Sequence, residues 1–124
     1  MYKTVLILDD DKAILDIFTL VLEASGYLVH VSETSHDIIN KVELTNPDVI
    51  IMDNWIPDIG GIEATNLLKK HKNFKHIPVI YCSANSDIAY LAEKAGAQAY
   101  LSKPFDLNDL ENLVAKMLEP INAV

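Results

Sequence analysis

Cysteine is almost absent from this sequence. Cys82 stands alone among 124 residues, so no internal disulfide can form and zinc sites built on paired cysteines are excluded. It lies inside an apolar run and reads as a small core residue. Basic residues are also few. Ten Lys and Arg face eighteen Asp and Glu, a formal net charge of −8. A nucleic-acid surface would normally be basic. No apolar run approaches the length of a membrane span. The N-terminus lacks the basic-then-apolar order of a signal peptide. These absences predict a cytoplasmic protein without a membrane or nucleic-acid partner. No linker, repeat or low-complexity stretch interrupts the chain.

Half the residues are apolar, which argues against disorder. The length suits one domain, 1–124, with a core from about 4 to 118. Five short apolar runs recur: TVLIL (4–8), YLVHV (27–31), DVIIMD (48–53), PVIYC (78–82) and AYLS (99–102). Their Val, Ile, Leu and Tyr content predicts strands. The first, third and fourth are nearly continuous in apolar character, as parallel strands covered on both faces are. Helical periodicity fills the gaps. It places Ile14, Leu15, Phe18 and Leu22 on a first helix, and Ile38, Ile39, Val42 and Leu44 on a second. A third carries Ile62, Leu67 and Leu68, and a fourth Ile88, Leu91, Ala92 and Ala95. Leu107, Leu110, Leu113, Val114 and Met117 mark the fifth. The alternation predicts an open α/β sheet with helices on both faces. The tail from Glu119 to Val124 is expected to fray.

The polar residues gain meaning from this frame. Three carboxylates, Asp9, Asp10 and Asp11, follow the first run. One Asp can cap a helix; three repelling charges are surplus unless a cation holds them. In a parallel sheet, ligands gather beyond the carboxyl ends of the strands. Asp53 ends the third run, Ser83 follows the fourth, and Ser102 and Lys103 follow the fifth. Asp10 and Asp53 offer two oxygen ligands to a hard cation such as Mg²⁺, with Asp9 binding directly or through water. A carboxylate is also a nucleophile toward phosphorus. The positive charge that such a transfer needs could come from Mg²⁺ and Lys103, aided by the Ser83 hydroxyl. Pro104 makes the Lys103–Pro104 bond a candidate cis peptide.

The segments LILDDD (6–11), DVIIMDNWIPDIGG (48–61), PVIYCSA (78–84) and GAQAYLSKPF (96–105) together resemble the receiver domains of two-component response regulators, of the single-domain chemotaxis and sporulation type. The resemblance covers Val5 to about Leu118. It implies a flavodoxin-like (βα)5 fold with strand order 2-1-3-4-5. It implies Mg²⁺ as cofactor, with Mn²⁺ able to substitute. Asp10, Asp53 and the backbone carbonyl of Trp55 would hold the ion, and Asp9 would act through water. Asp53 would accept phosphoryl from a histidine kinase or histidine phosphotransfer protein, with Lys103 and Ser83 as catalytic partners. Ser83 and Tyr100 would be the switch pair. The output would be a protein target bound on the face of helix 4, strand 5 and helix 5, and a phosphorylation-dependent dimer is compatible with it. The protein would be a phosphoacceptor with slow autodephosphorylation, not a multiple-turnover enzyme. The chain departs from the family at Gly60, where many members carry Asp. Trp55 and Asn85 occupy two positions that tune phosphoryl lifetime.

Two other readings compete. Asp9-x-Asp11, Ser83 and Lys103 could be the motifs of a haloacid-dehalogenase-like phosphatase, although the chain has no room for a cap and no later acidic pair at a strand end. A receiver-like binding module that is not phosphorylated is the other; intact Asp10, Asp53 and Lys103 argue against it. The four histidines match no functional position, and His36, His71 and His76 are expected in solvent.

Overall fold

The computed structural model describes residues 2–119. Five parallel strands alternate with five helices. These are β1 (Thr4–Leu8), α1 (Lys12–Ala24), β2 (Leu28–Ser32), α2 (Ile38–Thr45), β3 (Val49–Asp53), α3 (Gly61–Lys70), β4 (Val79–Ser83), α4 (Ile88–Ala95), β5 (Ala99–Ser102) and α5 (Leu107–Met117). The strand order is β2-β1-β3-β4-β5, the flavodoxin-like order that the resemblance implied. The part of the tail beyond residue 119 lies outside the described residues.

The apolar pattern explains which strands are central. Every residue of β3 and β4 is buried, and so is β1 after Thr4. Their side chains alternate between two cores, as the pleat requires. Leu6, Leu8, Ile50, Met52 and Tyr81 pack beneath α2, α3 and α4. Val5, Ile7, Val49, Ile51, Ile80 and Cys82 pack beneath α1 and α5. Each large apolar side chain buried this way contributes about 1.5–3 kcal/mol. The edge strands β2 and β5 are more polar and only partly covered.

The helices follow their periodicity with three corrections. Leu44, assigned to the inner face of α2, is 77% exposed. Ile38 and Val42 suffice to seat this short helix, and Leu44 lies too far round it to share their stripe. Leu67 and Leu107 are also partly exposed, at 43% and 40%. His71 is half-buried rather than solvated: its ring stacks on Phe74 at 4.4 Å. Among the described residues, no helix is long and apolar enough to cross a membrane.

One glycine is fixed by close approach. A Cβ on Gly61 would lie 2.5 Å from the Asp53 carbonyl oxygen and 3.0 Å from the Tyr81 hydroxyl. Nothing flexible can yield on the backbone side. Gly61→Ala should therefore destabilise the fold by about 2 kcal/mol, the scale of an overpacked core. Leu44→Ser should change stability by less than about 0.5 kcal/mol. Urea denaturation of the two variants checks both values.

Candidate functional site

Parallel pairing sets the geometry of the site. Leu8 aligns with Met52, Asp53 with Cys82, and Ser83 with Ser102. The residues that close these strands, or follow them, therefore meet along one edge of the sheet. Asp9, Asp10 and Asp53 each offer a carboxylate oxygen, and these oxygens lie within 4.8 Å of one another. Asp9 and Asp53 are buried and Asp10 is exposed.

The third acid of the cluster has a different task. Asp11 is the N-cap of α1, and its Oδ1 accepts hydrogen bonds from the Ala13 N–H (2.9 Å) and the Ile14 N–H (3.4 Å). The run of three acids thus divides into one cap and two site residues. Asp11, the second acid of the Asp9-x-Asp11 pair in the phosphatase reading, is engaged as a helix cap.

Asp9 and Asp53 are bound by a single ammonium. Lys103 Nζ donates to Asp53 Oδ1 at 2.8 Å and to Asp9 Oδ2 at 3.1 Å. The Trp55 N–H donates to Asp53 Oδ2 at 3.0 Å, and the Asp11 N–H to Asp9 Oδ1 at 2.9 Å. Both oxygens of Asp9 are thus engaged. Asp10 receives no hydrogen bond on its carboxylate among the described residues. Burial opposes the charge on Lys103, but its bonds to Asp53 and Asp9 outweigh that and raise its pKa above the ordinary lysine value. The Asp9 carboxyl is also raised. Burial is the main cause; the Asp11 N–H opposes it, and the Asp53 charge adds to it.

The flanking positions fall as follows. Ser83 is buried at the end of β4 and its Oγ accepts from the Asn85 N–H at 3.0 Å. The Lys103 N–H donates to the Ser83 carbonyl at 2.9 Å, which ties β5 to β4 at this edge. The Lys103–Pro104 peptide is cis. Tyr100 is 48% exposed and Trp55 75% exposed. Cys82 is buried beside the site, and burial pushes its thiol up to about 12, so it is an inert core residue. A cavity of about 610 Å³ opens between the β3–α3 loop and α4, lined by Asn54, Trp55, Gly61, Asn85 and Leu91 among others.

Two features escaped the sequence. The buried Tyr81 hydroxyl donates to Asn54 Oδ1, and burial, followed by the Asp53 charge, raises its pKa. Asn54 is fixed further by its N–H to the Cys82 carbonyl (2.9 Å) and by the Gly61 N–H to its own carbonyl (3.1 Å). Inside an apolar run, Tyr81 carries no signal beyond strand propensity. The second feature is Ser35, buried against the β3–α3 loop.

The profile of the response regulator receiver domain matches residues 5–115. The polar-differentiation response regulator DivK of Brucella ovis is 32% identical over 110 residues, which cover 86% of this chain and 89% of DivK. The chain belongs to the response regulator receiver family. The CAI-1 autoinducer sensor kinase/phosphatase CqsS of Vibrio cholerae is also 32% identical, over 116 residues and 91% of this chain, but the match spans only 17% of that protein. The receiver domain of a Pseudomonas aeruginosa sensor histidine kinase shares the fold with a TM-score of 0.86 at 24% identity, covering 95% of this chain and 98% of that one. Its crystal structure holds a magnesium ion in the active-site cleft.

The raised Asp9 pKa has a testable sign. A carboxylate whose folded-state pKa lies above its unfolded value costs stability when ionised. The cost is full above the folded pKa and vanishes below the unfolded value. In metal-free protein, Asp9→Asn should therefore raise the melting temperature by a few degrees at neutral pH. The gain over wild type should shrink as the pH falls toward the ordinary Asp range. Calorimetry in chelator across pH 4–8 checks it; a gain that grows on acidification would reverse the assignment.

Proposed function

We propose that this receiver is a phosphorelay response regulator in which Asp53 takes a phosphoryl group from a phosphohistidine, and that the whole chain, 1–124, acts as one receiver unit. The observation that carries this reading is the Lys103 ammonium held between Asp53 and Asp9. A carboxylate oxygen of Asp53 forms a bond to phosphorus, the phosphorus–nitrogen bond to the donor imidazole breaks, and the imidazole leaves with the electron pair. Lys103 stays within reach of the oxygens that gain charge, and Ser83 supplies a hydroxyl at the end of the neighbouring strand.

The converged carboxylates fit a hard divalent cation, because the donors are all oxygen and already close together. Asp10, Asp53 and the Trp55 carbonyl would hold it, with Asp9 in reach through water. Mg²⁺, when bound, supplies positive charge to the transferring group; Mn²⁺ suits the same oxygen donors. The ion found in the Pseudomonas receiver supports this choice.

An apolar groove of about 370 Å³ beside Lys103, lined by Ile14, Ile17, Phe18, Pro104, Phe105 and Leu107, supports docking of the histidine donor next to Asp53. The output face is that of α4, β5 and α5, where Tyr90 is largely exposed and Tyr100 half-exposed. Its occupant is a protein, whether a target or a second copy. The net charge of −8 disfavours nucleic acid, and the protein acts in the cytoplasm. Loss of the phosphoryl group is slow, because the Trp55 indole flanks the approach of water and Asn85 offers no carboxylate to orient it.

Incubation with acetyl phosphate and Mg²⁺ should add one base-labile phosphoryl group, read by intact-protein mass spectrometry. Asp53→Ala should abolish it, and Lys103→Ala should slow it by at least tenfold, the scale of losing one electrostatic contact at a transition state. Label that survives in Asp53→Ala, or maps to Asp9, would overturn the acceptor. For the output face, beryllofluoride should shift the amide resonances of Tyr100 and α4, and Ser83→Ala should suppress those shifts more than it weakens ligand binding. Shifts confined to the loops around Asp10 and Asp53 would refute the face.

A further inference from the structure

We propose that Ser35 is a positioning residue for the cation site, acting through the β3–α3 loop from the far side of that loop. The proposal rests on the reading above, in which the Trp55 carbonyl is a ligand. Ser35 lies in the β2–α2 connection, 22 residues from its partner in sequence, and is 1% exposed. Its N–H and its Oγ–H both donate to the Pro57 carbonyl, each at 2.9 Å. Its Oγ accepts from the Ile59 N–H at 3.0 Å. One hydroxyl thus closes both sides of Asp58.

That turn needs holding. Asp58 sits at φ +92, a left-handed conformation that strains residues bearing a Cβ. Left alone, the turn would relax and carry the loop with it. The loop has an inner tie as well, the Gly61 N–H on the Asn54 carbonyl. Trp55 stands between the two ties, and its carbonyl accepts no hydrogen bond among the described residues. A carbonyl ligand is useful only if its direction is fixed before the ion arrives.

The anchor is itself rigid. Lys41 Nζ, reaching from α2, donates to the Thr34 carbonyl at 2.8 Å and to Thr34 Oγ1 at 3.0 Å. The Asp9 N–H donates to the Ser32 carbonyl at 3.1 Å. The β2–α2 connection is therefore braced just ahead of Ser35, at Ser32 and Thr34, and one of these braces comes from the backbone of a site acid. His36 Nδ1 lies 3.7 Å from Asp58 Oδ2, but that pair is exposed and contributes little.

The test separates positioning from general stability by linkage. If opening the clamp weakens the cation site, binding the cation must strengthen the clamp by the same factor. In wild-type protein, saturating Mg²⁺ should slow hydrogen exchange at the Ile59 amide by about fivefold, the scale of one net hydrogen bond. Ser35→Ala should raise the Mg²⁺ dissociation constant by a similar factor in calorimetry. Ser35→Thr, which keeps the hydroxyl, should restore most of it. In acetyl phosphate labelling, Ser35→Ala should need about fivefold more Mg²⁺ for half-maximal rate yet approach the wild-type rate at saturation. Unchanged Mg²⁺ affinity in a folded Ser35→Ala would overturn the proposal. So would Ile59 exchange indifferent to Mg²⁺ in the wild type, a measurement that needs no variant to fold. If the wild type binds no Mg²⁺ and takes no label, the phosphoacceptor reading itself fails, an outcome distinct from either.

Discussion

Two buried carboxylates cannot remain ionised side by side without a nearby cation, and Lys103 is what makes the pairing tenable here. Its ammonium reaches Asp53 and Asp9 at 2.8 and 3.1 Å. Mutual repulsion and lost hydration both oppose this arrangement. One positive charge offsets two negative ones only in part, which is why Asp9 keeps a raised pKa despite its lysine contact. With Asp10 beside them, the site carries surplus negative charge. On the proposed reading, that excess charge is what would draw in a cation. A site that was already neutral would have little electrostatic reason to draw in a divalent ion.

The sheet makes the arrangement cheap to build. Parallel strands run in one direction, so their carboxyl ends coincide. β1 and β3 are neighbours, and β4 and β5 follow on one side. Residues separated by 50 and 94 positions in sequence meet because each ends or follows a strand. The cores on the two faces hold those strands in register. The same close packing explains Gly61, whose missing side chain lets α3 start directly against the Asp53 carbonyl.

Much of this is legible in the amino-acid sequence. The nearly continuous apolar runs identified β1, β3 and β4 as covered on both faces, and those three are the central strands. Asp9, Asp10, Asp53, Ser83 and Lys103 could be placed because strand ends are visible as the ends of apolar runs. Strand limits slipped by a residue: β2 runs from Leu28 to Ser32 and β4 ends at Ser83 itself. What stayed hidden were contacts between connections. Ser35 looks like any polar loop residue, and its three hydrogen bonds depend on how two loops are laid beside each other. Tyr81 looks like strand filler until its hydroxyl is seen to reach Asn54. Leu44 misled in the opposite direction, since an apolar residue on a short helix need not face inward.

The same charge logic bears on how the site would communicate. On the proposed reading, phosphorylation of Asp53 adds acceptor oxygens that compete for Lys103 and for the Ser83 hydroxyl. Neither residue moves independently. The Lys103 N–H is bonded to the Ser83 carbonyl, and Tyr100 precedes Lys103 by three residues on a four-residue strand at the sheet's edge. Among the described residues β5 pairs with β4 alone, so no described strand resists it on its outer side. Tyr100 is in register with buried Tyr81 but half-exposed itself, so its ring has apolar area still to bury. A rearrangement that favours one Tyr100 position over another needs only differential contact at Ser83 and Lys103. On the other side of Asp53, hydrogen bonds from Tyr81, Gly61 and Ser35 tie the β3–α3 loop. The acceptor thus stands between a braced loop that would fix the cation and an edge strand with freedom to respond.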